Sequence, residues 1–219
     1  MRPQIYLIES RTRQDLAATF MRFQEYYESP EFKGRIFSIE DFSCWYALKF
    51  GSFSYSSDWY GFNIPGTVLT PFKNGDFDPL TPKERRLIDF CSDIDGNSYI
   101  IGATPSAEYF KETIQHEFIH GVFHTNSEYK REVINCVNDF NIQTVSKGLL
   151  KMGYCDDVVI DETNAYVLVE PDTIQQYSSV GSTKKLREQL DKIFAKFFGF
   201  SVLKTEISAL MARTERVLI

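Results

Sequence analysis

The sequence predicts an α+β protein, mostly helical, with a small mixed sheet flanking one central helix. Three observations carry this. Apolar residues recur at helical spacing in most segments, and capping signals open several of them. Only short stretches, 5–8, 32–37 and 98–103, read as strands. No repeat, low-complexity tract or linker divides the chain, so 1–219 is expected to form one domain, with a possible N-terminal lobe at 1–96 and a helical C-terminal lobe at 126–219.

Taken in order, strand 5–8 leads into a helix opened by Thr12 and Asp15, with Leu16, Phe20, Phe23 and Tyr27 on its apolar face. Ser29-Pro30 stops it, and 32–37 reads as a second strand. Ser38 begins a helix carrying Phe42, Trp45, Tyr46 and Phe50. Residues 51–80 are rich in aromatics, Gly, Ser and Pro, without a sustained period. They read as an irregular segment packed on the core; the alternative is an aromatic wall of a substrate cleft. Thr81-Pro82-Lys83-Glu84 is a capping box with Pro at the first helical position, and its helix runs to about Cys91. After the Asp95-Gly96 turn, strand 98–103 leads to Thr104-Pro105, read as the cap and first residue of the next helix.

Phe110, Ile114, Phe118 and Val122 recur every fourth residue along that helix, and Ile119 and Phe123 add to its burial. Thr125 with Glu128 caps the following helix, which is expected to continue to Met152. A short apolar run at 158–160 precedes a helix at 161–168 that Pro171 limits. Residues 173–182 read as a polar loop. Leu186, Leu190, Ile193, Phe194 and Phe197 define an amphipathic helix, and 200–219 is weakly patterned and compatible with one more.

With 43% hydrophobic residues the chain is able to bury a sizeable core. A formal charge of −6 with no basic run argues against nucleic acid as a partner. Cys44, Cys91, Cys136 and Cys155 are scattered without a CxxC pair and are expected as reduced thiols. No signal-peptide pattern opens the chain, and no apolar run approaches the ~20 residues of a membrane span, so a cytoplasmic protein without membrane association is expected.

All 3 histidines lie within His116-Glu117-Phe118-Ile119-His120-Gly121-Val122-Phe123-His124. Histidines at i and i+4 stack on one helix face, so two ring nitrogens reach one metal ion. Glu117 lies about 100° round the helix, outside the ligand pair but able to touch a water beside the metal. On a helix otherwise buried, the stripe Thr113, His116, Glu117, His120 and His124 needs partners, and a metal supplies one. A third ligand is open between two residues. His124 would stand ~12 Å along a continuous helix from His116, so both binding one ion requires a break, for which Gly121 is the candidate. Glu162 opens a downstream helix that a turn could bring back to the site.

The His-Glu-x-x-His stretch, together with Glu162-Thr163-Asn164-Ala165, resembles the zincin metallopeptidases of the gluzincin type, over 97–125 and 161–168 only. The metzincin pattern is absent, since Phe123 and Asn126 stand where Gly and His would be, and no later histidine follows. The resemblance implies a zincin-like fold and zinc (Zn2+) held by His116, His120 and Glu162. It also implies Glu117 as general base on the zinc-bound water and a peptide or protein substrate paired to 98–103 as an edge strand. Tyr166 is the candidate phenol for the oxyanion, with Tyr129 and Tyr154 as alternatives. His124, if no ligand, would have its proton favoured by the helix C-terminus. The rival expectations are a zinc-containing binding protein without turnover, or a metal hydrolase of a non-peptide bond.

Overall fold

The computed structural model describes residues 4–152, 154–177 and 183–218, and its fold is mixed α+β, mostly helical around a four-stranded sheet. Strands β1 (Ile5–Glu9), β2 (Gly61–Pro65), β3 (Tyr99–Ala103) and β4 (Glu215–Leu218) stand in the order β2-β3-β1-β4. β1 runs parallel to both β3 and β4, while β2 is antiparallel to β3. The two central strands are buried along their whole length, which is why each reads as a continuous apolar run.

Each face of the sheet carries its own core. Tyr6, Ile8 and Ile100 point to the first, where α1 (Arg13–Glu28), α2 (Ile39–Phe50), α3 (Tyr55–Asp58), α4 (Leu69–Lys73) and α5 (Pro82–Phe90) pack. Aromatic rings fill it, with Phe72 stacked 3.9 Å from both Phe23 and Phe77. Arg22 and Glu84 form a buried bidentate pair at 2.7 and 2.6 Å, joining α1 to α5; Arg22 also donates to the Phe77 and Pro79 carbonyls. Ile5, Leu7, Tyr99 and Ile101 face the second core, built on α6 (Phe110–Thr125), α7 (Ser127–Asn138), α8 (Gln143–Met152), α9 (Val159–Val169), α10 (Pro171–Tyr177), α11 (Lys184–Phe198) and α12 (Ile207–Met211). α6 approaches the sheet closely because Gly121 has no side chain; a Cβ there would lie 2.9 Å from Ile5 Cδ1.

Several caps are as expected: Thr12 accepts from the Asp15 N–H, and Ser38/Asp41 and Thr81/Glu84 form full capping boxes. Other expectations are corrected. Residues 32–37 are not a strand: 30–34 form a hydrogen-bonded turn, in which the Gly34 N–H reaches the Tyr26 carbonyl at 2.9 Å and Gly34 takes φ +69°, and 35–37 are irregular. Their aromatic pattern is explained by the Phe32 and Phe37 rings packing at 4.6 Å. α6 begins at Phe110, not Pro105, and the buried Thr104 hydroxyl has no partner, so it caps nothing. Asn126, not Thr125, caps α7. The long helix expected to Met152 is two, parted at 139–142, where the Asn141 side chain accepts from the Gln143 N–H. α10 occupies part of the expected polar loop, and 178–182 lie outside the described residues. The 200–219 stretch holds only the short α12, and then β4, whose Arg216 bonds both Glu9 carboxylate oxygens at 2.8 Å. Among the described residues no helix is long and apolar enough to cross a membrane.

Candidate metal centre

α6 runs unbroken from Phe110 to Thr125 and packs between the sheet and α9. Helical periodicity therefore turns His116 and His120 to the same side, and their Nε2 atoms lie 3.1 Å apart. From α9, Glu162 presents its carboxylate to both, with Oε2 3.8 Å from His116 Nε2 and Oε1 3.6 Å from His120 Nε2. One ligand atom from each of the three residues falls within 4.8 Å of the others, a group able to hold a metal ion.

The remaining imidazole nitrogens also face carboxylates. Asp161 Oδ1 is 3.0 Å from His120 Nδ1, and Glu170 Oε1 is 3.5 Å from His116 Nδ1. Such outer carboxylates fix the tautomer and ring orientation of a metal-binding histidine. Neither was singled out in the sequence. A signal was present for Asp161, which adjoins Glu162, whereas Glu170 stands just past the end of α9 and reaches His116 only through the way that end folds.

All four central residues are buried: His116 is 8% exposed, Glu117 7%, His120 2% and Glu162 4%. Burial and the facing charges together set their protonation. Burial pushes the Glu162 pKa up to about 8 against the pull of His120 and His116. It raises Glu117 too, offset by His116, His120 and a bond from Asn63. For His120, burial acts downward, but Asp161 and Glu162 outweigh it and hold the pKa well above the usual imidazole value. His116 follows the same pattern, raised chiefly by Glu170. Without a metal the cluster thus gathers protons. Glu162 Oε2 is buried with no hydrogen-bond partner, an orphan that a cation would satisfy.

Glu117 lies against β2. Gly61 and Asn63 share a face of that strand, and a Cβ on Gly61 would stand 2.4 Å from Glu117 Oε1. Asn63 Nδ2 donates to Glu117 Oε2 at 2.7 Å. The 51–80 stretch therefore packs on the first core through Phe62, Ile64 and Phe72 while β2 borders the site. Nothing in its pattern had marked Asn63. Glu28, at the end of α1, feels the charge of the cluster: burial lifts its pKa to about 7, with a Gln24 bond and the charge of His120 opposing. Lys33, just beyond α1, pairs with Asp157, just before α9.

Tyr166 sits edge-on to His116, ring centroids 4.6 Å apart, and its hydroxyl is 2.9 Å from that of Tyr154. Tyr129 is turned elsewhere, its hydroxyl 3.3 Å from Asn164 within the second core. His124 is not brought to the cluster: the helix does not break at Gly121, and the His124 ring lies 5.0 Å from that of Tyr99. Its pKa is lowered, by partial burial first and then by Lys130, opposite to the effect expected from the helix terminus. Strand 98–103 is not an edge either. β3 is paired on both sides; β2 and β4 are the edges, and the Asn63 N–H of β2 is taken by Gln24 Oε1 at 3.0 Å.

Compared with protein-family models, with curated protein sequences and with solved structures, the chain finds no match.

Proposed function

We propose that this chain is a zinc-dependent hydrolase, a peptidase of zincin character, whose His116, His120 and Glu162 hold the ion. The observation that carries the reading is the convergence of two Nε2 atoms and a buried carboxylate within 4.8 Å, with the adjacent Glu117 free of that set. Two imidazoles and one carboxylate match the three-ligand donor set of a catalytic zinc, and the orphaned Glu162 Oε2 fits a cation. Zinc held there supplies Lewis-acid polarisation of a carbonyl and makes a water acidic. Glu117 accepts the proton of the attacking water and returns it to the nitrogen leaving the peptide bond. Asp161 and Glu170 keep the two imidazoles oriented. The Tyr154 and Tyr166 hydroxyls share one hydrogen bond, and when Tyr154 donates it the Tyr166 proton is left for the developing oxyanion.

Burial of the four central residues, each at most 8% exposed, favours one rival: a zinc-containing binding protein that keeps the centre without turnover. The test is hydrolysis of an unbiased peptide mixture by zinc-loaded protein and by Glu117→Gln. The variant is expected to retain fold and zinc and to lose ~10²–10⁴-fold in turnover, the usual cost of removing a general base. Zinc uptake with no turnover of peptide by the wild type overturns the peptidase reading.

A further inference from the structure

We infer that Asn63 is a positioning residue for Glu117, an inference that rests on the hydrolase reading. Asn63 is 8% exposed, and its Nδ2 gives the hydrogen bond that Glu117 Oε2 accepts at 2.7 Å. An asparagine amide is able to turn over and present oxygen instead, which would set two acceptors against each other. Here the carboxylate, which as an anion only accepts, selects Nδ2 as the end facing Glu117, and the Tyr99 hydroxyl donates to the Oδ1 left on the other side. The backbone of Asn63 is held as well, its N–H donating to Gln24 Oε1 at 3.0 Å. Strand alternation places Gly61 on the same face, and its missing side chain leaves room for Glu117 Oε1, with Thr113 Cγ2 as the other close neighbour of that space. The carboxylate therefore lies across β2 between an open glycine and an oriented amide. A base whose carboxylate turns freely reaches its proton less often than one held in a single orientation.

The experiment uses the full zinc-loaded chain and the peptide it cleaves fastest from an unbiased mixture. Asn63→Ala is expected to lower kcat ~10–100-fold, the range for a residue supporting a catalytic group, with KM and chelator-measured zinc affinity nearly unchanged. Asn63→Asp, of equal size but with no N–H to give, is expected to be no better than Asn63→Ala. Tyr99→Phe, which keeps Asn63 but removes the donor to its Oδ1, is expected to lose ~3–10-fold in kcat, the scale of one hydrogen bond. In side-chain amide NMR, slow exchange of the Asn63 Nδ2 protons should be lost in Glu117→Ala. Unchanged kcat in Asn63→Ala, or wild-type kcat in Asn63→Asp, overturns the inference while leaving the hydrolase reading in place. Absence of turnover by the wild type overturns both.

Discussion

At the scale of residues, the centre is built from pairs: each histidine faces Glu162 through Nε2 and a second carboxylate through Nδ1. The two proposed roles of Glu162 and His124 make different demands on this arrangement. Glu162→Ala is expected to weaken zinc binding by more than the ~10–100-fold typical of outer residues, because it removes a direct ligand. His124→Ala should leave affinity nearly unchanged, since its ring stands against Tyr99 instead of the cluster. Competition with a chelator near pH 7.5 measures both, and release of the metal by His124→Ala alone would refute the assignment. His116, Glu117 and His120 were legible in the sequence because one helix holds all three, so spacing determines their geometry. Glu162 was legible only as one of two candidates. Asn63, Asp161 and Glu170 were not, because their proximity depends on how β2 and α9 pack on α6.

Elements show the same division between local and non-local information. α1, α2 and α5 were readable because their stop and start signals are side chains bonding to their own backbones, as at Ser38/Asp41 and Thr81/Glu84. β4 was not, since Glu215-Arg216-Val217-Leu218 alternates weakly and becomes a strand only by pairing with β1. The 32–37 stretch misled for the converse reason: its aromatic residues favour strands, while its backbone bonds back to α1 and brings Phe32 and Phe37 together, which a strand would turn to opposite faces. α1 carries much of the load of placing the site, because it covers the β2 edge and is locked to α5 by Arg22 and Glu84. Arg22→Met should destabilise the fold by about 3–5 kcal/mol, because it leaves the Glu84 carboxylate buried without its cation. Urea unfolding measures this, and a loss below ~1 kcal/mol would mean that the pair is not the lock described.

On the scale of the whole molecule, the candidate metal centre joins two elements of the second core, α6 and α9, and is bordered by β2 of the sheet. Its protonation should therefore be visible in global stability. His116, His120, Glu117 and Glu162 all have pKa values raised above those of the unfolded chain, Glu162 to about 8. The metal-free native state then binds more protons than the unfolded state, and stability falls as pH rises through those values. His124, whose pKa is lowered, acts in the opposite sense, but below its ordinary value of 6.5. Metal-free protein is thus expected to lose stability from about pH 6.5, the ordinary imidazole value, to about pH 8, while zinc affinity rises over the same range as the ligands shed their protons. Denaturant titrations with chelator present check the sign, and rising stability over that window would contradict it. The measurement that tests the central claim most directly is zinc stoichiometry, by elemental analysis of protein purified without chelator and by titration of metal-free protein. About one zinc per chain is expected, as befits a single three-ligand site, and His120→Ala should abolish it. No zinc on purification and no uptake on titration would contradict the account.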